Sequence, residues 1–170
     1  RRVPSDLRVH CHCAHHCCAD FAWNQRVQPC RIGPGRLHVL LHDAEHRVVF
    51  EIDTNNDDTT GFRFVVNPSG AQEDAQIFRD DSIEPLWDGV WRSAARKNPD
   101  GWSAELFIPW STLRFDSQDS YTFGVNAERW ANEIAERSRL SPTPQGLPGL
   151  MSYALDYRGV EGIEPGLNVE

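Results

Sequence analysis

An all-β fold is what this 170-residue sequence predicts. Three observations carry that expectation. Apolar and polar residues alternate along short runs, proline and glycine reversals separate the runs, and no segment sustains a convincing 3.6-residue apolar stripe.

Taken in order, the candidate strands are 37–41, 47–53, 62–67, 75–79, 90–96, 102–108, 121–128 and 151–157. Alternation is strongest in 102–108, where Trp102, Ala104, Leu106 and Ile108 oppose Ser103, Glu105 and Phe107. One face of that strand therefore packs into a core, and Trp102 belongs to it. Asn67-Pro68-Ser69-Gly70 and Asn98-Pro99-Asp100-Gly101 each join a proline-fixed φ to a glycine that tolerates positive φ, so both predict tight reversals. Residues 109–113 predict one short helical turn. Residues 127–140 tolerate helix in composition but lack a stripe, and predict an extended excursion or loop. The Pro/Gly-rich stretch 141–149 reads as a connection and 159–166 as a linker leaving the domain.

Composition bounds the function. A 39% hydrophobic content with six Trp and eight Phe is that of a folded globular protein. A chain this long buries a core without metal or disulfide staples. No apolar run approaches the ~20 residues that span a bilayer as a helix. A net charge of −8 argues against a nucleic-acid partner, which needs a clustered basic face. The only methionine is Met151 and the chain opens Arg1-Arg2-Val3, so the natural start and any signal peptide are expected upstream.

All five cysteines and all seven histidines lie in the first 46 residues, which carry a net charge of +2 against −10 for the remainder. Three parts are expected: an atypical His/Cys/Arg-rich segment at 1–46, a β-domain at 47–165, and the start of a linker to a downstream region at 166–170. The cluster His10-Cys11-His12-Cys13-Ala14-His15-His16-Cys17-Cys18 is dense in zinc or copper ligands. Its spacing argues against such a site, because structural zinc uses two separated pairs and only Cys30 follows as a distant thiol. Five is also an odd number for a disulfide framework. Sixteen Arg against one Lys point to a GC-rich gene. Residues 7–46 accordingly read, wholly or in part, as out-of-frame translation or a disordered segment.

The acidic run Asp53-Thr54-Asn55-Asn56-Asp57-Asp58 offers alternating oxygens at Asp53, Asn55 and Asp57. It resembles the start of a calcium loop, but Asp58 stands where an EF-hand needs glycine and Phe64 where it needs glutamate. The other reading is a polar turn whose side chains bond their own backbone. The tryptophans of Trp87-Asp88-Gly89-Val90-Trp91, Gly101-Trp102 and Pro109-Trp110 are flat apolar surfaces of the kind on which sugar rings stack. Apart from Trp102, the residues Trp87, Trp91, Trp110 and Trp130 stay open between core and ligand.

Several motifs occur in order: Phe50-Glu51-Ile52-Asp53-Thr54, Gly61-Phe62-Arg63-Phe64-Val65-Val66-Asn67-Pro68-Ser69-Gly70, Trp87-Asp88-Gly89-Val90-Trp91, Gly101-Trp102-Ser103-Ala104-Glu105-Leu106-Phe107-Ile108-Pro109-Trp110, and Phe123-Gly124-Val125-Asn126. Over about residues 48–165 this pattern resembles the family 9 carbohydrate-binding module, in the copy found at the N-terminus of bacterial proteins with an outer-membrane β-barrel. The resemblance implies an antiparallel β-sandwich related to DOMON-type domains and a periplasmic, outer-membrane or secreted location. It also implies a polysaccharide or oligosaccharide partner and a covalently attached C-terminal β-barrel.

Members include xylanase-linked modules that bind sugar chain ends and calcium, with a pair of aromatics clamping the sugar beside an acid, an arginine and an asparagine. Glu51, Arg63 and Asn126 match the polar groups by motif position. The clamp positions fall upstream of Glu51 and near 141–149, where this chain has no aromatic. The candidate carbohydrate-binding set is therefore Glu51, Arg63, Trp87, Trp91, Trp110 and Asn126, with Asp53, Asn55 and Asp57 for calcium. Family members begin with strands that pair into the sandwich, whereas 8–36 shows little strand alternation. Incomplete N-terminal strands would leave an edge open and lower stability.

Two functions follow: a non-catalytic carbohydrate-binding module associated with xylan- or cellulose-type polysaccharide degradation, or a structural and interaction domain on a β-barrel that binds no sugar. An enzyme would need paired acids at a fixed separation, for which Asp80/Asp81 and Glu84/Asp88 are the candidates. Solvated acids on an acidic domain are the commoner explanation, so no intrinsic catalytic site is expected.

Overall fold

A computed structural model describes residues 36–43, 47–99, 101–131, 136–144 and 146–165. The histidine–cysteine cluster and residues 8–35, on which the expectation of incomplete strands rests, lie outside the described residues. Ten strands are present: β1 (Arg36–Asp43), β2 (Arg47–Asp53), β3 (Gly61–Val66), β4 (Gln72–Phe78), β5 (Ser82–Glu84), β6 (Arg92–Asn98), β7 (Gly101–Pro109), β8 (Ser120–Ala131), β9 (Glu136–Arg139) and β10 (Leu155–Glu161).

They form two antiparallel sheets. The smaller has the order β1-β7-β6 and the larger β10-β8-β2-β3-β4-β5, with β9 pairing β8 beside β10. The two inner faces enclose one core: Val48, Phe50, Ile52, Phe62, Phe64, Val66, Phe123 and Val125 from the larger sheet meet Leu37, Trp102, Ala104, Leu106 and Ile108 from the smaller. The expected period of two in β7 is exact in its burial, which alternates residue by residue from Gly101 to Pro109. Trp102 is in the core as expected.

Both reversals form. Asn67 accepts the Gly70 N–H at 2.9 Å, with Gly70 at φ 85°, and Asn98 pairs across to Gly101, at φ 145°. The helical turn is a single 3₁₀ turn at Trp110–Thr112.

Four expectations are corrected. β1 runs in register with all of β7 from Arg36 to Asp43, so the sandwich begins inside the 1–46 segment rather than at Arg47. The described residues of 127–140 are extended, as one of the two expectations had it, but paired into the sheet rather than looped: β8 continues to Ala131 and β9 runs antiparallel to it, pairing Glu128 with Arg139 and Trp130 with Arg137. The last strand starts at Leu155 instead of Met151, because Met151 is wholly buried in a turn that covers the larger sheet. Residues 159–163 are not a linker, since Val160 and Ile163 close the core.

Leu106 is completely buried at the centre of β7. Replacing it with alanine deletes packed methyl groups and leaves a cavity, at a cost of about 2–5 kcal/mol. Val90, 82% exposed, serves as the control. Urea unfolding should show a much lower midpoint for Leu106→Ala and less than about 0.5 kcal/mol change for Val90→Ala.

Candidate functional site

Successive strand residues face opposite ways, so the residues that alternate with the core in β2, β3 and β8 share the outer face of the larger sheet. Register then decides which of them meet. Glu51 is directly opposite Arg63 on β3 and directly opposite Asn126 on β8. Three residues far apart in sequence thus stand in one row across three neighbouring strands.

Glu51 is 0% exposed, and both its carboxylate oxygens are engaged. The Arg63 guanidinium donates to one oxygen and Arg139 Nη2 donates to the other at 2.6 Å. Arg139 also donates from Nη1 to Thr143 Oγ1 at 2.7 Å, and its Nε lies 3.5 Å from Glu128. Asn126 continues the row toward the connection after β9. Its side-chain oxygen accepts the N–H groups of Ala127 and Ser141, and its amide donates to the Ser141 carbonyl at 3.1 Å.

The connection 141–153 lies beside this row and is clipped at its far end by Asp80. One Asp80 carboxylate oxygen accepts the backbone N–H groups of Leu150, Met151 and Ser152 at 3.0, 2.8 and 2.9 Å, and the other accepts the Ser152 hydroxyl at 2.7 Å. Burial would raise the Asp80 carboxyl, but the bonds from Ser152, Leu150 and Met151 outweigh it and hold the group below its ordinary value. Gly149 makes the approach possible: at φ +132°, any Cβ there would lie 2.8 Å from Asp80 Oδ2 and 2.7 Å from Ser152 Oγ.

On the other side of Arg63 an open groove of about 740 Å³ follows β4. Among the described residues β5 pairs only with residues 76–78, the 72–75 half of β4 has no strand beyond it, and the 85–91 loop runs alongside instead. Arg63, Glu73, Trp87 and Trp91 are among its walls. Asp74 ties the loop down, accepting the Trp91 indole N–H at 2.7 Å and the Gly89 N–H at 3.2 Å.

The tryptophans divide. Trp87 is half-buried and packs on Phe62 and Phe64, with ring centroids 5.0 and 5.9 Å away. Trp91 is buried edge-on against Phe64. Both line the groove without projecting from it. Trp110 corrects the expectation that it could face a ligand: it is 2% exposed in a cluster with Phe115 and Phe123, and an enclosed ring has no face to offer a sugar. Trp130 is on the outer face.

The acidic run adopts the polar-turn arrangement. Asp53 accepts the N–H groups of Asn55 and Asp58, and Asp57 accepts those of Thr59 and Thr60 together with their hydroxyls. Burial pushes the Asp53 carboxyl up despite these bonds, while the threonine bonds overcome burial at Asp57 and lower it. Among the described residues no group of three or more His, Cys, Asp or Glu is placed to hold a metal ion. Asp53 and Asp57 spend their carboxylate oxygens on the N–H and hydroxyl groups of the turn itself. Of the acids weighed for catalysis, Asp80 is the loop clip and Glu84 accepts the Leu86 N–H at 3.0 Å.

No protein-family model and no curated protein sequence matches the chain. Solved structures do. A candidate carbohydrate-binding protein from Bacteroides uniformis superposes with a TM-score of 0.56 at 14% identity, over 76% of this chain and 74% of that one. Family 9 carbohydrate-binding modules from Caldicellulosiruptor kristjanssonii superpose with TM-scores of 0.50 in complex with cellotriose and 0.51 in complex with glucose, both at 13% identity. The cellotriose complex covers 79% of this chain and 72% of its own, and the glucose complex 80% and 74%. The fold is that of a family 9 carbohydrate-binding module.

Register brings the sequence candidates Glu51, Arg63 and Asn126 together, and beside them stand Arg139, Glu128 and Thr143, which the sequence does not single out, while Asp80 is weighed there only as a catalytic acid. The available signal was the continuing alternation in β8, where Asn126, Glu128 and Trp130 succeed one another every second residue.

Glu128 is 4% exposed and its carboxyl is raised, first by burial and then by the negative charge of Glu51, against the opposing pull of Arg63, Arg139 and Arg137. A carboxyl raised in the folded state penalises folding once pH passes its unfolded value, so this contribution to stability falls as pH rises through that range. Glu128→Gln should therefore raise the thermal midpoint near pH 7 and change it little near pH 4. An equal shift at both pH values would contradict the assignment.

Proposed function

We propose that this chain is a non-catalytic carbohydrate-binding module whose ligand lies on the outer face of the larger sheet, over Arg63 and the adjoining groove. The observation that carries the reading is the register that sets Glu51 opposite both Arg63 and Asn126. A fully buried carboxylate fixes the guanidinium of Arg63 in one orientation, and a pre-oriented planar donor discriminates among hydroxyl arrangements without an ordering cost at binding. Trp87 and Trp91 supply apolar wall for the C–H faces of a sugar ring. The shared fold with modules in complex with cellotriose and glucose supports a glucan- or xylan-type ligand, and hence an extracytoplasmic role in polysaccharide degradation.

Titration with cello-oligosaccharides and soluble xylan should change the tryptophan fluorescence and saturate. Arg63→Ala should weaken binding by about tenfold or more, the loss expected for hydrogen bonds to a charged group. A flat response across these glycans would count against the reading.

A second reading, an interaction domain attached to an outer-membrane β-barrel, draws on a separate observation. Leu86 and Val90 are 88% and 82% exposed, with Ile83 and Phe78 also exposed nearby in sequence. Apolar side chains so fully in solvent favour a protein contact. In the full-length protein, Leu86→Ser with Val90→Ser should then impair barrel assembly. Unimpaired assembly would remove this reading.

A further inference from the structure

Among the described residues five buried side-chain polar atoms lack a hydrogen-bond partner, and four of them, Arg47 Nε, Trp130 Nε1, Arg139 Nε and Glu128 Oε1, belong to two neighbouring rows of the outer face. The end row is Arg47, Trp130 and Arg137, paired directly across β2, β8 and β9. The guanidinium carbon of Arg47 lies 3.6 Å from the centre of the Trp130 ring, and that of Arg137 lies 3.5 Å from it. Two guanidiniums so close to one ring cannot share a face, so each covers its own.

Neither arginine meets a carboxylate among the described residues, although the chain as a whole carries a net charge of −8. The unpartnered atoms of this row, Arg47 Nε and Trp130 Nε1, are both donors. Those two donors are buried, but Arg137 is exposed beside them, and two cations at one ring fit a ligand group that only accepts. A carboxylate is such a group, and its planar pair of oxygens matches the fork of a guanidinium.

We propose that the Arg47–Trp130–Arg137 stack is an anion subsite for the carboxylate of a uronic acid carried by a glycan on the outer face. This rests on the carbohydrate-binding reading and names the ligand class within it. The stack lies four residues along β2 from Glu51, about 13 Å at the usual strand rise. One oligosaccharide lying along the strand spans that distance.

Isothermal titration of the 170-residue chain with a neutral xylo-oligosaccharide, its glucuronic-acid-substituted form, free glucuronate and sodium sulfate tests the assignment. The acid-bearing oligosaccharide should bind about tenfold tighter than the neutral one at low salt, the gain expected of one charge-assisted contact. Salt should erode the difference. Arg137→Gln, a change at an exposed side chain, should abolish the preference and leave the neutral affinity unchanged. Equal affinity for both oligosaccharides overturns the uronate subsite and leaves the carbohydrate-binding reading standing. Saturation by sulfate without any preference between the oligosaccharides identifies a simple anion site and overturns the proposal. Binding of neither oligosaccharide overturns it together with the reading on which it rests.

Discussion

The buried carboxylate of Glu51 is the constraint around which the outer face is arranged. Taking an ionised group out of water costs several kcal/mol unless charge and hydrogen bonds are returned to it. Here two guanidiniums return them, one from β3 and one from β9. Because Arg139 belongs to a strand that reaches β8 only by folding back, the ion pair depends on the β8–β9 hairpin. Thr143, on the same guanidinium, extends the dependence to the connection that follows. A charge buried this completely tolerates few alternative arrangements, and it makes the sheet register, the hairpin and the loop conditional on one another.

The inner face was the most legible part of the chain. Alternation in β7 needs only local sequence, since period two places Trp102, Ala104, Leu106 and Ile108 on one side whatever surrounds them. The proline–glycine reversals were legible for the same reason. The β8–β9 hairpin was not, because its outward residues are charged and its pairing is held by Arg139 and the Trp130 stack rather than by apolar alternation. β10 was misplaced because Met151 is apolar for a different reason: it plugs a turn over Gly61, where a Cβ would collide with its sulfur. A buried methionine in a turn and a buried methionine in a strand look alike in sequence.

The site shows the same division between local and distant information. The motif resemblance picked out Glu51, Arg63 and Asn126, and register aligned them. Nothing in the sequence near Asp80 announced that its carboxylate would gather three backbone donors more than sixty residues away, because that role depends on where the chain returns. Tryptophans were the least reliable guide, since stacking on a sugar and packing on phenylalanine require the same flat apolar ring. Only enclosure separates them, as it does for Trp110.

The short β5 has a consequence for how the molecule behaves among its own copies. By stopping opposite Gln76 it leaves the 72–75 half of β4 as a sheet margin with no strand beyond it among the described residues. A bare margin is a template on which a foreign strand can grow. Here the margin reads Gln72, Glu73, Asp74 and Ala75, and the 85–91 loop is moored across it through Asp74. Two acids and a tethered loop discourage another chain from adding itself there. The opening beside the groove is thereby kept from nucleating aggregation.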